Sequence, residues 1–280
     1  MVKYNTLIFS ALLFGTINAM EEKQQKKVSP IQNAAIGIVA AGAEIAIDQP
    51  LIYFKNMMQS KRPINWKMPA AWYRGAGAGI ASLAPTTAIQ VAVNGMLNDK
   101  ADNNSSTLRQ MMNAWCAGAM SAVVSSPSEA LIFHQQAGGK NAFQTMKHLW
   151  QEHGTRCLYR GMLATAIRDG GFACGFLALG PAAKEYLKKY TDNQAVGMFG
   201  LVGAGLLAAT GTHIFDFLKT IMQKDFSSNR RMTRIMLDTI ATEGHAGLFK
   251  GFLARTTRIA SAIILMSTVA EQLQKHITKS

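Results

Sequence analysis

The residues most suited to a chemical role are an acid and a base that lie at the end of an apolar segment. Their spacing fits a single helix. Asp216 and Lys219 stand three positions apart and end a run of mostly apolar residues that begins near Val196. Side chains at that spacing lie on neighbouring parts of a helix surface. Ionised groups are costly in hydrocarbon, so charges within a membrane-length segment indicate a functional polar site.

The frame around this pair occurs three times in the chain. Ile214–Lys219 is matched by Pro50–Lys55 and by Pro127–Ile132, and a glutamine follows nine residues after the first position of each copy. These glutamines are Gln59, Gln136 and Gln223. A frame repeated in register predicts an internal threefold repeat, which is stronger evidence of architecture than any single motif.

Composition places the chain among membrane proteins. Its 280 residues are 49% hydrophobic and 16% charged, with a formal net charge of +13, whereas soluble domains carry about 25% charged residues. The basic residues form no clustered patch or known nucleic-acid fold signature, so we expect no nucleic-acid partner. The three cysteines lack Cys-x-x-Cys spacing, and neither a disulfide framework, a metal site nor a cofactor is predicted.

Six segments are long enough to span a bilayer, which takes about 20 mostly apolar residues. They lie near residues 33–58, 76–98, 111–136, 161–186, 196–223 and 252–274. Five of them contain charged residues, which should face the interior of a helix bundle or a watery cavity. The sequence therefore predicts an all-α membrane protein with a polar pathway.

The even-numbered segments share an aromatic-basic-glycine step at their start. The three steps are Tyr73-Arg74-Gly75, Tyr159-Arg160-Gly161 and Phe249-Lys250-Gly251. Such a step is either an interfacial anchor or a place where free backbone N–H groups hold a lipid phosphate. We favour lipid binding because the step recurs in register.

Loop charges orient the repeats. The segments 55–74, 134–160 and 219–250 together hold fifteen Lys/Arg against four Asp/Glu, whereas 98–112 and 183–195 hold five against four. The three long loops therefore lie on one basic face, as expected for three helical hairpins of the same orientation.

On these motifs the chain resembles the mitochondrial carrier family, from about Asn33 to Lys275. The signature of that family is Pro-x-Asp/Glu-x-x-Lys/Arg at the end of each odd-numbered helix, followed by a short matrix helix and an aromatic-basic-glycine step. The resemblance implies a monomeric six-helix barrel with cardiolipin at the steps, a central substrate site and a gate of salt bridges at each end. The implied repeats cover residues 33–110, 111–192 and 193–280, after a linker at 20–32.

The resemblance implies specific pairs in the gate on the basic, matrix-side face. Carried over by motif position, Glu129 pairs with Lys219 and Asp216 with Lys55, while the third pair is the apolar Ile52 and Ile132. Replacing both members of an ion pair by apolar groups is tolerated far better than losing one. The three glutamines resemble family positions that brace these salt bridges. Ile214 replaces the proline of the third copy, so we expect a less kinked helix there.

The gate on the opposite face retains fewer charges. Only Lys184 and Glu271 are charged at motif positions, and their implied partners are Gly95 and Asn98, respectively. No family-type bridge is left intact, which predicts that the resting protein opens readily towards the less basic face.

The resemblance implies substrate contacts seven residues after each step glycine. These positions are Ser82, Arg168 and Arg258, with Asp169 beside Arg168. Arginine binds carboxylate and phosphate in a bidentate manner, which suits a small anion. The alternative is that the two arginines line a watery cavity or pair with Glu44 and Asp48.

The sequence leaves several classes of cargo and of function open. An Arg-acid step at this position is commoner among amino-acid carriers of the family. We prefer a nucleotide such as ATP or ADP, because the divergence and the signal-like start resemble a carrier that an intracellular bacterium sends to host mitochondria. A degenerate carrier acting as a membrane scaffold is a further alternative. Catalysis is not expected, since His148 and His153 would lie about 140° apart around a helix.

The N-terminus carries a signal-like pattern. Lys3, an apolar core over residues 7–15 and a cleavage-like site after Ala19 resemble a secretory signal peptide, the alternative being an ordinary apolar extension. The pattern lacks the Arg-rich amphipathic character of a mitochondrial presequence. We expect an integral protein of the mitochondrial inner membrane, of a host cell if the source is bacterial.

Overall fold

The computed structural model describes residues 30–99, 106–190, 194–226, 228 and 230–279. The signal-like segment 1–19 and most of the linker 20–32 lie outside the described residues. Over the described part the regular structure is helical, so the predicted all-α class is confirmed.

Ten α-helices carry the fold of the described residues. They are α1 Pro30–Ser60, α2 Ala76–Asp99, α3 Thr107–Gly138, α4 Ala142–His153, α5 Met162–Ala173, α6 Gly180–Lys188, α7 Gln194–Gly211, α8 His213–Lys224, α9 Met232–Glu243 and α10 Phe252–Lys279. A π-helix at Cys174–Leu179 joins α5 to α6 without interrupting the chain direction.

Six long helical segments correspond to the six predicted spans. They are α1, α2, α3, the α5–α6 unit, the α7–α8 pair and α10. Within the described residues, three helices are long and apolar enough to span a membrane: Pro69–Asn98, Thr107–Gly138 and Thr155–Leu187. The bent pair Val196–Gly211 and His213–Lys224 would be a fourth. This set does not include α1 and α10.

The six segments form a closed ring. Each packs against the next in chain order, and α10 returns to pack against α1. Across the ring, the odd-numbered segments meet through α1, α3 and α8, whose C-terminal ends lead into the basic loops. The upper half of the third odd segment, α7, packs on its ring neighbours instead. The ring is therefore drawn together at its basic end.

The three aromatic-basic-glycine steps have the same backbone. Each follows a short 3₁₀-helix, at Pro69–Tyr73, Thr155–Tyr159 and His245–Phe249. Gly75, Gly161 and Gly251 then adopt φ values of 88°, 83° and 76°. Only glycine populates this region without a steric penalty. The repeated motif of the sequence is thus a repeated backbone turn that starts each even-numbered segment.

The expectation of a less kinked third odd helix is wrong. α1 and α3 contain Pro50 and Pro127 and are continuous helices, whereas α7 and α8 are bent by 53° at Thr212 although Ile214 replaces the proline. Thr212 donates its hydroxyl to the carbonyl of Ala208, 2.7 Å away, and accepts from Arg255 at 2.7 Å. Threonine back-bonding of this kind bends helices, and the preceding Gly211 weakens helical continuity further.

The first repeat departs from the family pattern after its odd helix. α4 and α9 are the short helices expected in the second and third repeats, and α4 begins with a capping box between Asn141 and Gln144. Between Ser60 and Pro69 the described chain forms turns instead. There Phe54 stacks on Trp66 with ring centroids 5.4 Å apart.

Candidate functional site

The basic-face gate lies where α1, α3 and α8 meet, and both implied ion pairs are present. Lys55 Nζ lies 3.2 Å from the carboxylate of Asp216, and Lys219 Nζ lies 2.7 Å from Glu129 Oε2. Lys55, Lys219 and Asp216 are buried, and Glu129 is partly exposed. Two charge pairs from different helices therefore tie the three odd segments to one another at this end of the ring.

Arg168 on α5 joins the two ion pairs. Its Nη1 lies 2.9 Å from Glu129 Oε1 and 3.1 Å from Asp216 Oδ1. Each of these carboxylates thus has both a lysine and the guanidinium as partners. Arg168, predicted to contact substrate, thus lies within this network of ion pairs, and its substrate role stays a prediction.

Asp169 holds the guanidinium in place. Its Oδ1 accepts from Arg168 Nη2 at 2.6 Å and from Nε at 2.9 Å, while its Oδ2 accepts from the Ser125 hydroxyl at 2.6 Å. Both oxygens of this buried carboxylate are therefore satisfied, as burial requires. Ser125 lies on α3, so the contact also fixes α5 against its ring neighbour.

One of the three glutamines contacts an ion pair. Gln59 Nε2 donates to Asp216 Oδ2 at 3.0 Å, and its Oε1 accepts from the Thr220 hydroxyl at 2.7 Å. The repeated position therefore braces the Lys55–Asp216 pair in the first copy.

The brace prediction is not met by the other two glutamines. Gln136 accepts from Asn56 at 2.7 Å, and Gln223 donates to the backbone carbonyl of Ser126 at 3.3 Å. Each glutamine stands four residues after the basic position of its own copy, and in the second copy that position is Ile132. Gln136 therefore has no ion pair beside it and takes a neutral partner.

The apolar third pair stays a prediction. Ile132 packs on the step glycine Gly75, where an added Cβ would come within 2.8 Å of its Cγ2. Ile52 is partly buried on α1. The side chain at the second basic position thus fills the space beside the second helix rather than carrying charge.

A second polar cluster links α1 to α10. Arg258 Nη2 donates to Glu44 Oε1 at 2.9 Å, and the Ser261 hydroxyl donates to Asp48 Oδ1 at 2.7 Å. The pairing of Arg258 with Glu44 agrees with the alternative weighed from the sequence. The side chain of Arg258 is 36% exposed, whereas that of Glu44 is 3% exposed, so the guanidinium still faces open space. The hydroxyl of Ser82 donates to the carbonyl of Gly79 in its own helix, 2.9 Å away.

The opposite gate is only partly described. The side chains of Lys184 and Glu271 lie outside the described residues. Asn98 accepts a hydrogen bond from Asn113 at 2.7 Å, which joins α2 to α3 near that end. The role of these positions stays a prediction.

The basic residues of the three steps have protein partners. Arg160 Nη1 donates to the carbonyl of Phe226 at 2.6 Å, and Lys250 Nζ lies 2.5 Å from Glu243 Oε2. Arg74 Nη2 contacts the sulfur of Met68 at 3.6 Å. With Gly75, Gly161 and Gly251 at the helix starts, lipid binding at the steps stays a proposal.

Close helix packing positions the network. An added Cβ on Gly118 of α3 would come within 2.3 Å of the carbonyl oxygen of Asp169. Glycine at this position lets α3 approach α5 closely, as small residues do between membrane helices. Arg168 reaches Glu129 because the two helices are this close.

Several members of the site were missed by sequence reasoning. Ser125, Asn56 and Thr220 are uncharged and carry no family motif, so nothing in the sequence singled them out. Arg255 could have been found, since it precedes Arg258 by three residues on the same helix; it is buried and donates to Thr212.

Comparisons with known proteins agree with this architecture. The family model described as "Mitochondrial carrier protein" matches residues 103–191 and 193–280. A Dictyostelium discoideum protein named "Mitochondrial substrate carrier family protein X" is 27% identical over 223 residues, covering 74% of this chain and 72% of the relative. The "Mitochondrial dicarboxylate/tricarboxylate transporter DTC" of Arabidopsis thaliana is 28% identical over 75% of this chain and 78% of its own length.

A third relative carries a nucleotide in its name. The Arabidopsis thaliana "Calcium-dependent mitochondrial ATP-magnesium/phosphate carrier protein 3" is 24% identical over 74% of this chain and 46% of the relative. The names of these relatives thus differ in the cargo that they give.

Proposed function

The chain belongs to the mitochondrial carrier family, and from that premise we propose that it moves a small anion across the mitochondrial inner membrane by alternating access. The observation that carries this proposal is the buried network of ion pairs where α1, α3 and α8 meet. Charges inside a membrane-spanning ring mark a solute pathway, and carriers alternate access around a central site. The network supports a state that is closed on the basic face.

Arg258 is the proposed main contact for the cargo. Its side chain is partly exposed, and its buried Nε has no hydrogen-bond partner among the described residues. Arg258 therefore offers donors to a carboxylate or phosphate. Arg168 could do so only by giving up its contacts with Glu129 and Asp216. Ser82, Asp169 and Glu44 are proposed as further contributors, with Glu44 orienting Arg258.

Within this class we propose an adenine nucleotide as the cargo. The support is the resemblance described above, together with a relative named for ATP-magnesium and phosphate. Di- and tricarboxylates are the second candidate, because other relatives are named for those anions. All of these cargos share the anionic group that Arg258 would bind.

The test is uptake of labelled solutes into liposomes that contain the purified protein and cardiolipin. ATP, ADP, a dicarboxylate, a tricarboxylate and basic amino acids are compared, and we expect uptake of one anion class that Arg258→Ala reduces at least about tenfold, the loss expected for one good charge-assisted contact. Arg234→Ala is the matched control, since Arg234 is exposed on α9 and pairs with Asp238. Folded protein that takes up none of these solutes would favour the scaffold alternative.

A further inference from the structure

Arg168 occupies the position of a cargo contact and also a central position in the gate. It stands seven residues after Gly161, yet its Nη1 bridges Glu129 and Asp216 at 2.9 and 3.1 Å. Its side chain is only 10% exposed. In this state the guanidinium belongs to the network rather than to an open cavity.

The gate lacks one of its three ion pairs, and Arg168 lies between the two that remain. Ile52 and Ile132 occupy the positions of the missing pair. Three carboxylates (Glu129, Asp169, Asp216) face three bases (Lys55, Lys219, Arg168) across this region. The guanidinium therefore supplies the third positive charge and the connection between the two pairs.

Building on the transport function proposed above, we propose that Arg168 replaces the missing third ion pair in holding the gate closed, and that an anionic cargo opens the gate by taking Arg168 from Glu129 and Asp216. The gate and the cargo compete for one guanidinium. Binding of the cargo is thus linked directly to release of the two gate acids.

The cargo and the gate acids must compete for Arg168, because its guanidinium has too few free N–H donors to serve both. Arginine has five N–H donors; here Nε and one N–H of Nη2 are directed to Asp169, and Nη1 serves both gate acids. A bidentate contact with a carboxylate or phosphate needs two parallel donors. The cargo can obtain them only by displacing a gate acid or Asp169.

The tether to Asp169 decides which partners are displaced. Asp169 is fixed by Ser125 at 2.6 Å and accepts two bonds from Arg168. The gate acids each retain a lysine when Arg168 leaves. Displacement of the Nη1 contacts therefore leaves each gate acid with a charged partner, whereas displacement of Asp169 leaves that carboxylate with the Ser125 hydroxyl and no base among these contacts.

The experiment measures the gate without any cargo. Spin labels are placed at Met58→Cys and Lys140→Cys, which are exposed near the basic ends of α1 and α3, after the three native cysteines have been replaced by alanine. Their distance distribution is recorded by pulsed electron paramagnetic resonance in liposomes. Arg168→Gln is combined with Asp169→Asn, because removing one member of a buried pair leaves an uncompensated charge.

We expect one short distance between the two spin labels when Arg168 and Asp169 are unchanged. In the Arg168→Gln/Asp169→Asn variant we expect an added population with a longer distance between them. The matched control is Arg234→Gln with Asp238→Asn, which neutralises an ion pair on α9 outside the network and should leave the distribution unchanged. A distribution that stays the same in the Arg168 variant, or changes equally in the control, would overturn the proposal.

A second variant keeps the test decisive if the first does not fold. Ile52→Glu and Ile132→Lys supply the missing charges at the motif positions, and we expect them to restore the single short distance when Arg168 and Asp169 are neutralised. A gate that stays open in this folded quadruple variant would contradict the replacement role of Arg168.

The two proposals fail in different ways. If the distance measurements agree with the gate role but no solute is taken up, the transport function is wrong and Arg168 is a structural link. If uptake is present but neutralising Arg168 and Asp169 leaves the distance unchanged, the transport proposal stands and the gate role is wrong.

Discussion

Charged residues at the basic end of the ring form ion pairs with one another. They lie on α1, α3 and α8, and Arg168 on α5 joins them. Glu129 and Asp216 each contact one lysine and Arg168, and Gln59 adds a hydrogen bond to Asp216. Breaking a buried pair by removing one partner costs about 3–5 kcal/mol, whereas replacing both partners can be nearly neutral. This asymmetry gives a direct test of which side chains depend on one another.

For the Lys219–Glu129 pair, we expect each single neutral substitution to lower the melting temperature more than the double one does. Lys219→Gln leaves Glu129 with Arg168 alone, and Glu129→Gln leaves the buried Lys219 ammonium without its carboxylate. We expect a loss of about 3 kcal/mol for Lys219→Gln and a smaller loss for the double variant. Thermal unfolding of the purified protein in detergent measures this, and additive losses would contradict the pairing.

Among the glutamines, we expect Gln59→Leu to be more destabilising than Gln223→Leu. Gln59 donates to the Asp216 carboxylate, while Gln223 makes one long bond to a backbone carbonyl. Hydrogen bonds to charged groups contribute about 1.5–3 kcal/mol and neutral ones about 1 kcal/mol. Equal shifts in melting temperature for the two variants would show that the hydrogen bond of Gln59 to Asp216 adds no more stability than the bond of Gln223.

Helices set the distances over which these side chains act. The close approach of α3 to α5 at Gly118 brings Glu129 and Arg168 within reach. The bend between α7 and α8 turns the C-terminal half of the third odd segment towards α1 and α3. Both features depend on small or polar residues inside otherwise apolar helices.

Gly118→Ala should destabilise the protein by about 1–3 kcal/mol, the usual cost of overpacking. The new methyl group would meet the backbone oxygen of Asp169 at 2.3 Å and Ala173 Cβ at 2.6 Å, and backbone cannot yield as a flexible side chain does. Gly42→Ala on α1 is the control, because nothing lies within 4 Å of its added Cβ. Thermal unfolding should show a loss only for Gly118→Ala, and a similar response at both positions would contradict close packing.

At the bend, Ile214→Pro should be tolerated better than Ile221→Pro by about 2 kcal/mol. Ile214 lies in the first turn of α8, where proline removes an N–H that lacks a helical partner, while Ile221 lies in the helix interior, where proline costs about 3 kcal/mol or more. Both side chains are partly buried in the same cluster, so packing losses are similar. Comparable melting temperatures would show that the helix is not interrupted at Thr212.

At the scale of the molecule, the ring is tied at one end by charges that come from every repeat. Lys55, Glu129 and Asp216 belong to the first, second and third repeats, respectively. The sequence predicts no intact family-type bridge at the opposite end. A ring tied only at its basic end would expose its interior to the less basic face.

A cysteine-labelling experiment tests this openness. Ser82→Cys, at a proposed cargo position on the partly buried part of α2, should react with a polar maleimide in detergent about as fast as the exposed Lys140→Cys. Thr165→Cys is the buried control and should react at least about a hundredfold more slowly, as protection by stable packing requires. Slow labelling of Ser82→Cys would show that the opposite face is closed as well.

Much of the fold was predictable because the repeat appears three times in register. Six helical segments, their charged positions and the step glycines were expected from motif spacing, two ion pairs were implied by the family resemblance, and the structure contains them all. The bend at Thr212 was missed because a proline is only one cause of a kink. Here the Thr212 hydroxyl bonds back to Ala208 and also accepts from Arg255 on another helix.

The sequence by itself determined the architecture, since periodic apolar segments and repeated motifs are local properties of the chain. Its resemblance to the family also implied which acid faces which lysine, once each motif position was carried over. Only the tertiary structure decided that Arg168 joins the two ion pairs and that Gln136 binds Asn56. The physical reason is that a buried polar group takes whichever partners the packing of separate helices brings within hydrogen-bond distance, and no spacing along one helix encodes that choice.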